Sequence, residues 1–247
     1  MLKEERQTFI IKQINLHNKV LSADLSRQLN VSEDTVRRDL NELAENGQII
    51  KVYGGALSKS FHFPFANNDT YAQDSKKIIA KKAVNLIKDG MVVLAGGGTT
   101  MIEIARAMPK NLKCTFFTIS PLVALELVET SNSDVILIGG QLSPAAHISI
   151  GSQVINQLSE IRVDLCFLGT NGLSLENGVT DSDWEAVQVK KAMIKSARKT
   201  VIVSIAEKLE STQNLKVCDL NSVHYLITDL DPTHGALSGY SAYVETI

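Results

Sequence analysis

From Lys76 onward the chain alternates short apolar runs with helical patterns, and no other feature limits its fold so strongly. The runs are "MVVLA" (91–95), "CTFFTI" (114–119), "DVILIG" (134–139), "DLCFLG" (164–169), "TVIVSI" (200–205) and "VHYLIT" (223–228). Between them, spacing predicts helices over 75–88, 99–108, 121–131, 151–161 and 183–198. Strands that are apolar on both faces must be covered on both faces, and helices between successive strands do this for a mostly parallel sheet. Right-handed crossovers then give a doubly wound α/β layer. Its ligand crevice is expected beyond the carboxyl ends of the strands.

Glycines and hydroxyls collect at those ends. "AGGGTT" (95–100), "TIS" (118–120), "GGQLS" (139–143) and "GTNG" (169–172) each follow a run, and "GVTDSD" (178–183) precedes a helix. Glycine lets backbone amides approach a ligand, and a helix start adds partial positive charge. The loop from Gly96 to Thr100, with Gly97, Gly98, Thr99 and Thr100, is therefore a candidate phosphate cradle. It is not a Walker loop, since no lysine follows the glycines. A phosphate monoester carries nearly two charges, so a cation is needed as well. Lys190 and Lys208 are the candidates, while Lys191 is assigned to solvent.

The first sixty residues follow a different plan. Residues 4–16 are expected to form a helix with Ile10, Ile11 and Ile14 on one side, and Ser22 to cap a second helix. "NVS" (30–32) is a turn, and Ser32 is the expected N-cap of a third helix, with Glu33 and Asp34 in its first turn. Val36, Leu40 and Leu43 make the buried stripe. Arg38 projects almost opposite, with Arg37 and Thr35 on the shoulders. Gly47 closes the helix in a left-handed cap. "IIKVY" (49–53) alternates as a strand, and Gly54–Gly55 turn it back. Three helices and a β wing form a winged helix-turn-helix, whose third helix enters the major groove. Guanidinium forks suit phosphate oxygens and guanine edges. Ser32, Thr35, Arg37, Arg38, Lys51 and Tyr53 are the candidate DNA contacts.

Composition sets limits on both parts. Hydrophobic residues make up 44% of 247, enough for a packed core, and the net charge is −2. No whole-molecule field draws the chain to nucleic acid, so DNA contact must come from a local patch. Residues 1–60 hold nine Lys/Arg and eight Asp/Glu, a net of only +1. No run long enough to span a membrane occurs, and the charged start "MLKEERQTF" lacks a signal core. A cytoplasmic location without membrane attachment is expected. The three cysteines and five histidines are scattered. This spacing points to reduced thiols and to neither a metal site nor a cofactor.

"SEDTVRRDLNELAENGQIIKVYGGAL" closely resembles the DNA-binding region of the DeoR family of bacterial transcriptional regulators, over Glu5 to Leu57 without a gap. The resemblance makes "TVRRDL" (35–40) the core of the recognition helix and "YGGA" (53–56) the close of the wing. Residues 76–229 resemble the family's effector-sensing domain, which is similar in fold to ribose-5-phosphate isomerases. "GVTDSDWEAVQVKKAM" (178–193), "GGTT" (97–100) and Gly139–Gly140 carry that likeness. The departures are Ala95 or Gly96 where many members have Asp, Ser120 where many have Asn, and "SIAEK" (204–208) in place of Asp-x-Ser-Lys. The family implies a phosphorylated-sugar effector, held by Gly97, Gly98, Thr99, Thr100, Ser120, Gly140, Gly172, Thr180, Glu185, Lys190 and Lys208.

The expected domains are 1–57 for DNA, a linker over 58–75 in which Phe61, Phe63 and Phe65 cover a domain surface, and 76–247 for sensing. The expected function is a repressor of a sugar or nucleoside catabolic operon. It would bind a double-stranded operator as a dimer or higher homo-oligomer and be released by the sugar phosphate. The alternative is an isomerase-like enzyme carrying a DNA-binding module, with Glu103, Asp181, Asp183 or Glu185 as its base. No paired-carboxylate constellation stands out, so no catalytic residue is assigned.

Overall fold

The computed structural model describes residues 1–17, 19–58 and 71–247. The three phenylalanines of the expected linker lie outside the described residues. The chain divides into two units, Met1–Tyr71 and Ala72–Ile247.

The first unit runs α1 (Lys3–His17), β1 (Lys19–Leu21), α2 (Ser22–Leu29), α3 (Glu33–Glu45), β2 (Ile49–Val52) and β3 (Gly55–Ser58). Its antiparallel sheet has the order β1-β3-β2. Val36, Leu40 and Leu43 are fully buried against Ile10, Ile14 and Leu25. Each such side chain contributes roughly 1.5–3 kcal/mol of burial, so the stripe sets how α3 sits. Asn30 takes the left-handed conformation (φ 53°) in the turn between α2 and α3, a role asparagine tolerates. Gly47 (φ 67°) closes α3 with its amide on the Ala44 oxygen, as expected.

Two local expectations give way. Ser22 is the first residue of α2 and not its cap; Leu21 stands at the N-cap without a side-chain bond. The reason is β1, which the spacing does not reveal. It keeps the chain extended to Leu21, and the Ser22 amide goes to the Gly54 oxygen instead (2.8 Å). Gly55 opens β3 and is not part of the turn, which lies at Tyr53–Gly54. A Cβ on Gly55 would meet the Val20 oxygen at 1.9 Å, so the β1–β3 approach requires glycine there.

The second unit begins with α4 (Gln73–Val84) and holds a seven-stranded sheet. Its strands are β4 (Val92–Ala95), β5 (Thr115–Thr118), β6 (Asp134–Leu137), β9 (Val163–Gly169), β12 (Ala197–Val203), β14 (Tyr225–Ile227) and β15 (Glu245–Thr246). The order is β15-β14-β12-β9-β4-β5-β6, and every pairing is parallel. The crossover helices are α5 (Thr99–Arg106), α6 (Pro121–Thr130), α7 (Ser152–Ser159) and α8 (Trp184–Ser196). All six apolar runs read from the sequence are strands of this sheet. From β4 the chain proceeds one way through β5 and β6, and from β9 it proceeds the other way. Right-handed crossovers therefore place the two sets of helices on opposite faces. Alternation agrees, since Leu94, Cys166 and Leu168 join the cluster built on Val187, Val189 and Met193 of α8.

Two smaller pieces escape the apolar-run pattern. One is the hairpin β7 (Gln141–Leu142) and β8 (Ser149–Ile150). The other is the antiparallel sheet β10 (Gly172–Ser174), β11 (Gly178–Asp181) and β13 (Leu215–Cys218). Cys114, Cys166 and Cys218 are all free. Among the described residues no helix is long and apolar enough to cross a membrane.

Candidate functional site

In the first unit the candidate surface is the outer side of α3 with the β2–β3 wing. Ser32 caps α3, accepting from the Thr35 amide (3.2 Å) and meeting the Thr35 hydroxyl at 2.9 Å. Arg37 and Arg38 are both exposed. Arg38 reaches back to Asp34 one turn earlier (2.7 Å), with 80% of its side-chain surface open. Tyr53 stands fully exposed at the wing tip, and Lys51 bonds Asn41 of α3, tying wing to helix.

The opposite side of α3 is held by charge as well as by apolar contact. Asp39 is buried and takes a two-pronged grip from Arg6 of α1, at 2.5 and 3.2 Å. That hydrogen bond raises the Arg6 pKa further. Lys3 and Gln7 hold Glu42 of α3 at 2.6 and 3.2 Å. These contacts fix the rotation of α3 about its axis, which decides where Arg37 and Arg38 point.

In the second unit the candidate site lies where β4 and β9 part. Strand order reverses there, which opens a crevice at the carboxyl ends. Gly96 donates to the Phe167 oxygen (2.9 Å), and then the chain swings into α5. Gly98 sits at φ 105°, a conformation only glycine takes easily, and it leaves the first amides of α5 without helical acceptors. A Cβ on Gly97 would come within 2.4 Å of Ile148 and 3.5 Å of Ser120. Ser120 is buried, caps α6 and donates to the His147 oxygen (3.4 Å). Gly97, Gly98, Thr99, Thr100 and Ser120 thus form one wall.

Cations form the other wall. Lys190 of α8 donates to Asp181 (2.6 Å) and to the Gly169 oxygen at the end of β9 (2.9 Å). Lys208, after β12, donates to the Thr170 oxygen (2.9 Å). Burial pushes the Lys208 pKa down to about 7, helped by the charges of Lys76 and Lys190 and opposed by Asp181. Burial likewise lowers Lys76 to about 8, partly offset by Glu103. Burial alone would raise Asp181, but Lys190, Asn171 (2.8 Å) and the Ser182 amide more than offset it and hold the carboxyl below its usual range. Lys190 and Lys208 thus act on one carboxylate, Asp181, while Glu103 acts on Lys76 and also binds Arg106 (2.9 Å), which Glu126 holds as well (3.2 Å). Ammonium groups held out of bulk water beside open helix amides suit an anion, which would favour their charged forms.

Other expected residues fall elsewhere. Gly140 lies against Val154 and Ile150, where a Cβ would clash at 2.5 and 2.9 Å. Gly172 faces the Thr180 hydroxyl, and that hydroxyl accepts the Gln213 amide (2.9 Å), so both bind the small antiparallel sheet together. Glu185 is exposed on the first turn of α8. It stands about 140° around that helix from Lys190 and is not brought to the cation cluster. Sequence reasoning missed Lys76 altogether. Its signal is the spacing Lys76, Ile79, Ala80, Ala83, which puts a lysine on the buried stripe of α4.

The comparisons with known proteins follow this division. The DeoR-like helix-turn-helix domain matches residues 6–61, and the DeoR C terminal sensor domain matches 71–230. The chain belongs to the DeoR family. This DeoR-family protein is 33% identical to the HTH-type transcriptional regulator GlpR of Haloferax volcanii, over 93% of the chain and 91% of that protein. It is 30% identical to the glycerol-3-phosphate regulon repressor of Haemophilus influenzae, over 92% and 90%. Ribose 5-phosphate isomerase A from Methanocaldococcus jannaschii aligns with a TM-score of 0.43 and 20% identity, over 56% of this chain and 55% of that one. The DeoR-family chain is a regulator and not an enzyme.

Proposed function

We propose that this DeoR-family regulator represses genes for sugar or nucleoside catabolism and leaves its operator when a phosphorylated sugar enters the β4–β9 crevice. The observation that carries this reading is Lys190 and Lys208 on the Gly169 and Thr170 oxygens, with Gly169 beside Gly97, in the same chain as an α3 that exposes Arg37 and Arg38. The first group suits a phosphomonoester, and the second suits duplex DNA. A relative named for a glycerol-3-phosphate regulon supports a small phosphate ester as the ligand class. Ser32, Thr35, Arg37, Arg38, Lys51 and Tyr53 are proposed to contact the operator. Gly97, Gly98, Thr99, Thr100, Ser120, Lys190 and Lys208, with Lys76, are proposed to hold the phosphate. Gly140, Gly172 and Thr180 would shape the crevice through packing, and Glu185 would lie at its margin.

Two winged modules in a homo-oligomer would match two half-sites, and the effector would shift the balance between DNA-competent and released states. The test is a thermal-shift screen of sugar phosphates, followed by fluorescence anisotropy with an operator duplex selected from a random pool. A compound that raises the melting temperature should lower operator affinity. If the compounds that bind leave operator affinity unchanged, the switch is wrong. If the parent sugars without phosphate bind as well, the anion site is wrong.

A further inference from the structure

We propose that the open edge of the large sheet, formed by β6 and the outer side of α6, is the surface through which two copies of this chain join. It names the surface for the homo-oligomer proposed above, on which it rests, and is independent of the anion site.

Strand β6 ends the seven-stranded sheet, with β5 on one side and no strand on the other among the described residues. The Asp134 amide goes to the Cys114 oxygen (3.0 Å) and the Ile138 amide to the Thr118 oxygen (2.8 Å). Backbone groups alternate in direction along a strand, so those of Val135 and Leu137 turn to the open side. An edge left to water is ordinarily guarded by charge, proline or a bulge, because its free amides and carbonyls recruit another strand. The run Val135–Ile138 has none of these guards. Ile136 and Leu137 are exposed instead, at 44% and 45%.

Helix α6 extends the apolar strip. Thr130 donates to the Ala105 oxygen (2.8 Å) and Glu126 binds Arg106 (3.2 Å), which marks the side of α6 that faces α5. At about 100° per residue, Val128 stands opposite that side and Leu125 about 120° from it. Both are exposed, at 63% and 59%. They turn away from α5, in the direction in which the sheet ends.

Charge decides what fits this strip. Residues 135–159 include no Asp, Glu, Lys or Arg, in a chain of which 21% is charged. Gly139, Gly140, Gln141 and Leu142 lie exposed in that stretch. Nucleic acid or a charged peptide finds nothing there to pair with, whereas a second copy meets an uncharged face like its own. A two-fold axis across the edge sets the two β6 strands antiparallel and continues the sheet. Asp134, the one charge on β6, then stands beside the uncharged end of the other copy's strand, so the two carboxylates stay apart. The same rotation brings Glu129, exposed in the last turn of α6, toward the first turn of the other copy's α6, where helix amides are partly positive. The open backbone groups of Val135 and Leu137 gain partners, and Leu137, Leu125 and Val128 leave water in both copies.

The experiment uses the full chain in sedimentation velocity over a range of concentration. The wild type should sediment as a dimer or an assembly of dimers. The double change Val128→Glu with Leu137→Glu sets like charges across the axis. It should raise the dissociation constant by about tenfold or more and leave the circular dichroism spectrum unchanged. Hydrogen exchange across residues 134–138 of the wild type, read by mass spectrometry, needs no variant and decides if the double change does not fold. Two amides, those of Val135 and Leu137, should slow as concentration rises through the assembly midpoint. A folded double variant that assembles as tightly as wild type, or two amides that stay fast in the assembled wild type, overturns this surface and leaves the homo-oligomer standing. A wild type that stays monomeric overturns both, and slow exchange at the two amides in that monomer gives the edge to another part of the same chain.

Discussion

Both units of this protein carry groups of cations, and they hold them in opposite ways. On α3 the guanidinium groups of Arg37 and Arg38 stand in water, and Arg38 shares its charge with Asp34 on the same exposed face. In the crevice the ammonium groups of Lys76, Lys190 and Lys208 are drawn out of water, and two of them lose much of their basicity. The arginines keep their charge at any accessible pH and are screened by salt. The lysines are shielded from salt, but their charge depends on pH and on whatever anion joins them. One arrangement suits a polyanion that approaches from outside, and the other suits a small dianion that must be enclosed.

The largest expected effect comes from breaking the buried pair. Lys190→Met leaves Asp181 with most of its charge uncompensated, which should destabilise the second unit by about 3–5 kcal/mol in urea unfolding. Replacing both members, as Lys190→Met with Asp181→Leu, should recover a large part of that loss. If the single change is as mild as an exposed-charge substitution, the crevice is wet and the contrast with α3 disappears.

Arg38→Ala is the matching change on the exposed side. It should weaken operator binding by about 1–3 kcal/mol at fixed salt if Arg38 reads a base, and leave the urea midpoint nearly unchanged. Arg37→Ala, if Arg37 meets a phosphate, should weaken all duplexes alike and lower the salt slope by about 1. Anisotropy titrations over a range of salt separate the two arginines.

Protonation sharpens the comparison further. The lowered pKa values mean that Lys208 and Lys76 are partly neutral near pH 7–8 in the empty crevice. An anion favours the charged forms, so binding should take up protons, and affinity should fall as pH rises from 7.5 to 9. The limit is about tenfold per pH unit for each ammonium lost. Above pH 7.5 a phosphate monoester is already almost fully dianionic, so its own titration does not confuse the trend. Calorimetry in buffers of different ionisation heat reads the proton uptake directly. Operator binding without anion should be flat over the same range, because arginines do not titrate there. The sign for stability is opposite. Lysines that bind protons more readily when unfolded should let the empty protein gain stability as pH rises from 7 toward 10.

The smallest effect is expected at the helix cap. Ser32→Ala removes the acceptor for the Thr35 amide and should cost about 1 kcal/mol of stability, with a similar loss in operator affinity if the start of α3 frays. A change in affinity much larger than the change in stability would mark Ser32 as a DNA contact in its own right.

Much of this protein is legible in its residues alone. The stripe of Val36, Leu40 and Leu43, the Ser32 cap, the left-handed Gly47 and the six apolar-run strands each follow from spacing within a dozen residues, although β6, read as buried, is an edge strand that leaves Ile136 and Leu137 exposed. What escapes such reading is what depends on a distant partner. Strand β1 is three residues long and is a strand only because β3 returns beside it. Thr180 and Gly172 look like pocket residues because glycine and hydroxyl cluster there, yet they face each other and Gln213. Glu185 shares a helix with Lys190 but is exposed about 140° around it, which helical spacing alone does not rank as near or far from the crevice. Lys76 is invisible as a site residue, since a lysine on a helix is ordinarily read as solvated.

By itself the sequence determined the six apolar-run strands of the large sheet, most of the helices and which side of α3 carries arginine, because side-chain periods of 3.6 and 2 are local properties of the backbone. Only the tertiary structure decided that Lys76, Lys190 and Lys208 meet. They come from segments separated by a hundred residues or more at one end, and they converge because β9 pairs with β4 at the point where strand order reverses. Strand pairing is a non-local choice made by the whole sheet, and burial there is what lowers the basicity of Lys76 and Lys208.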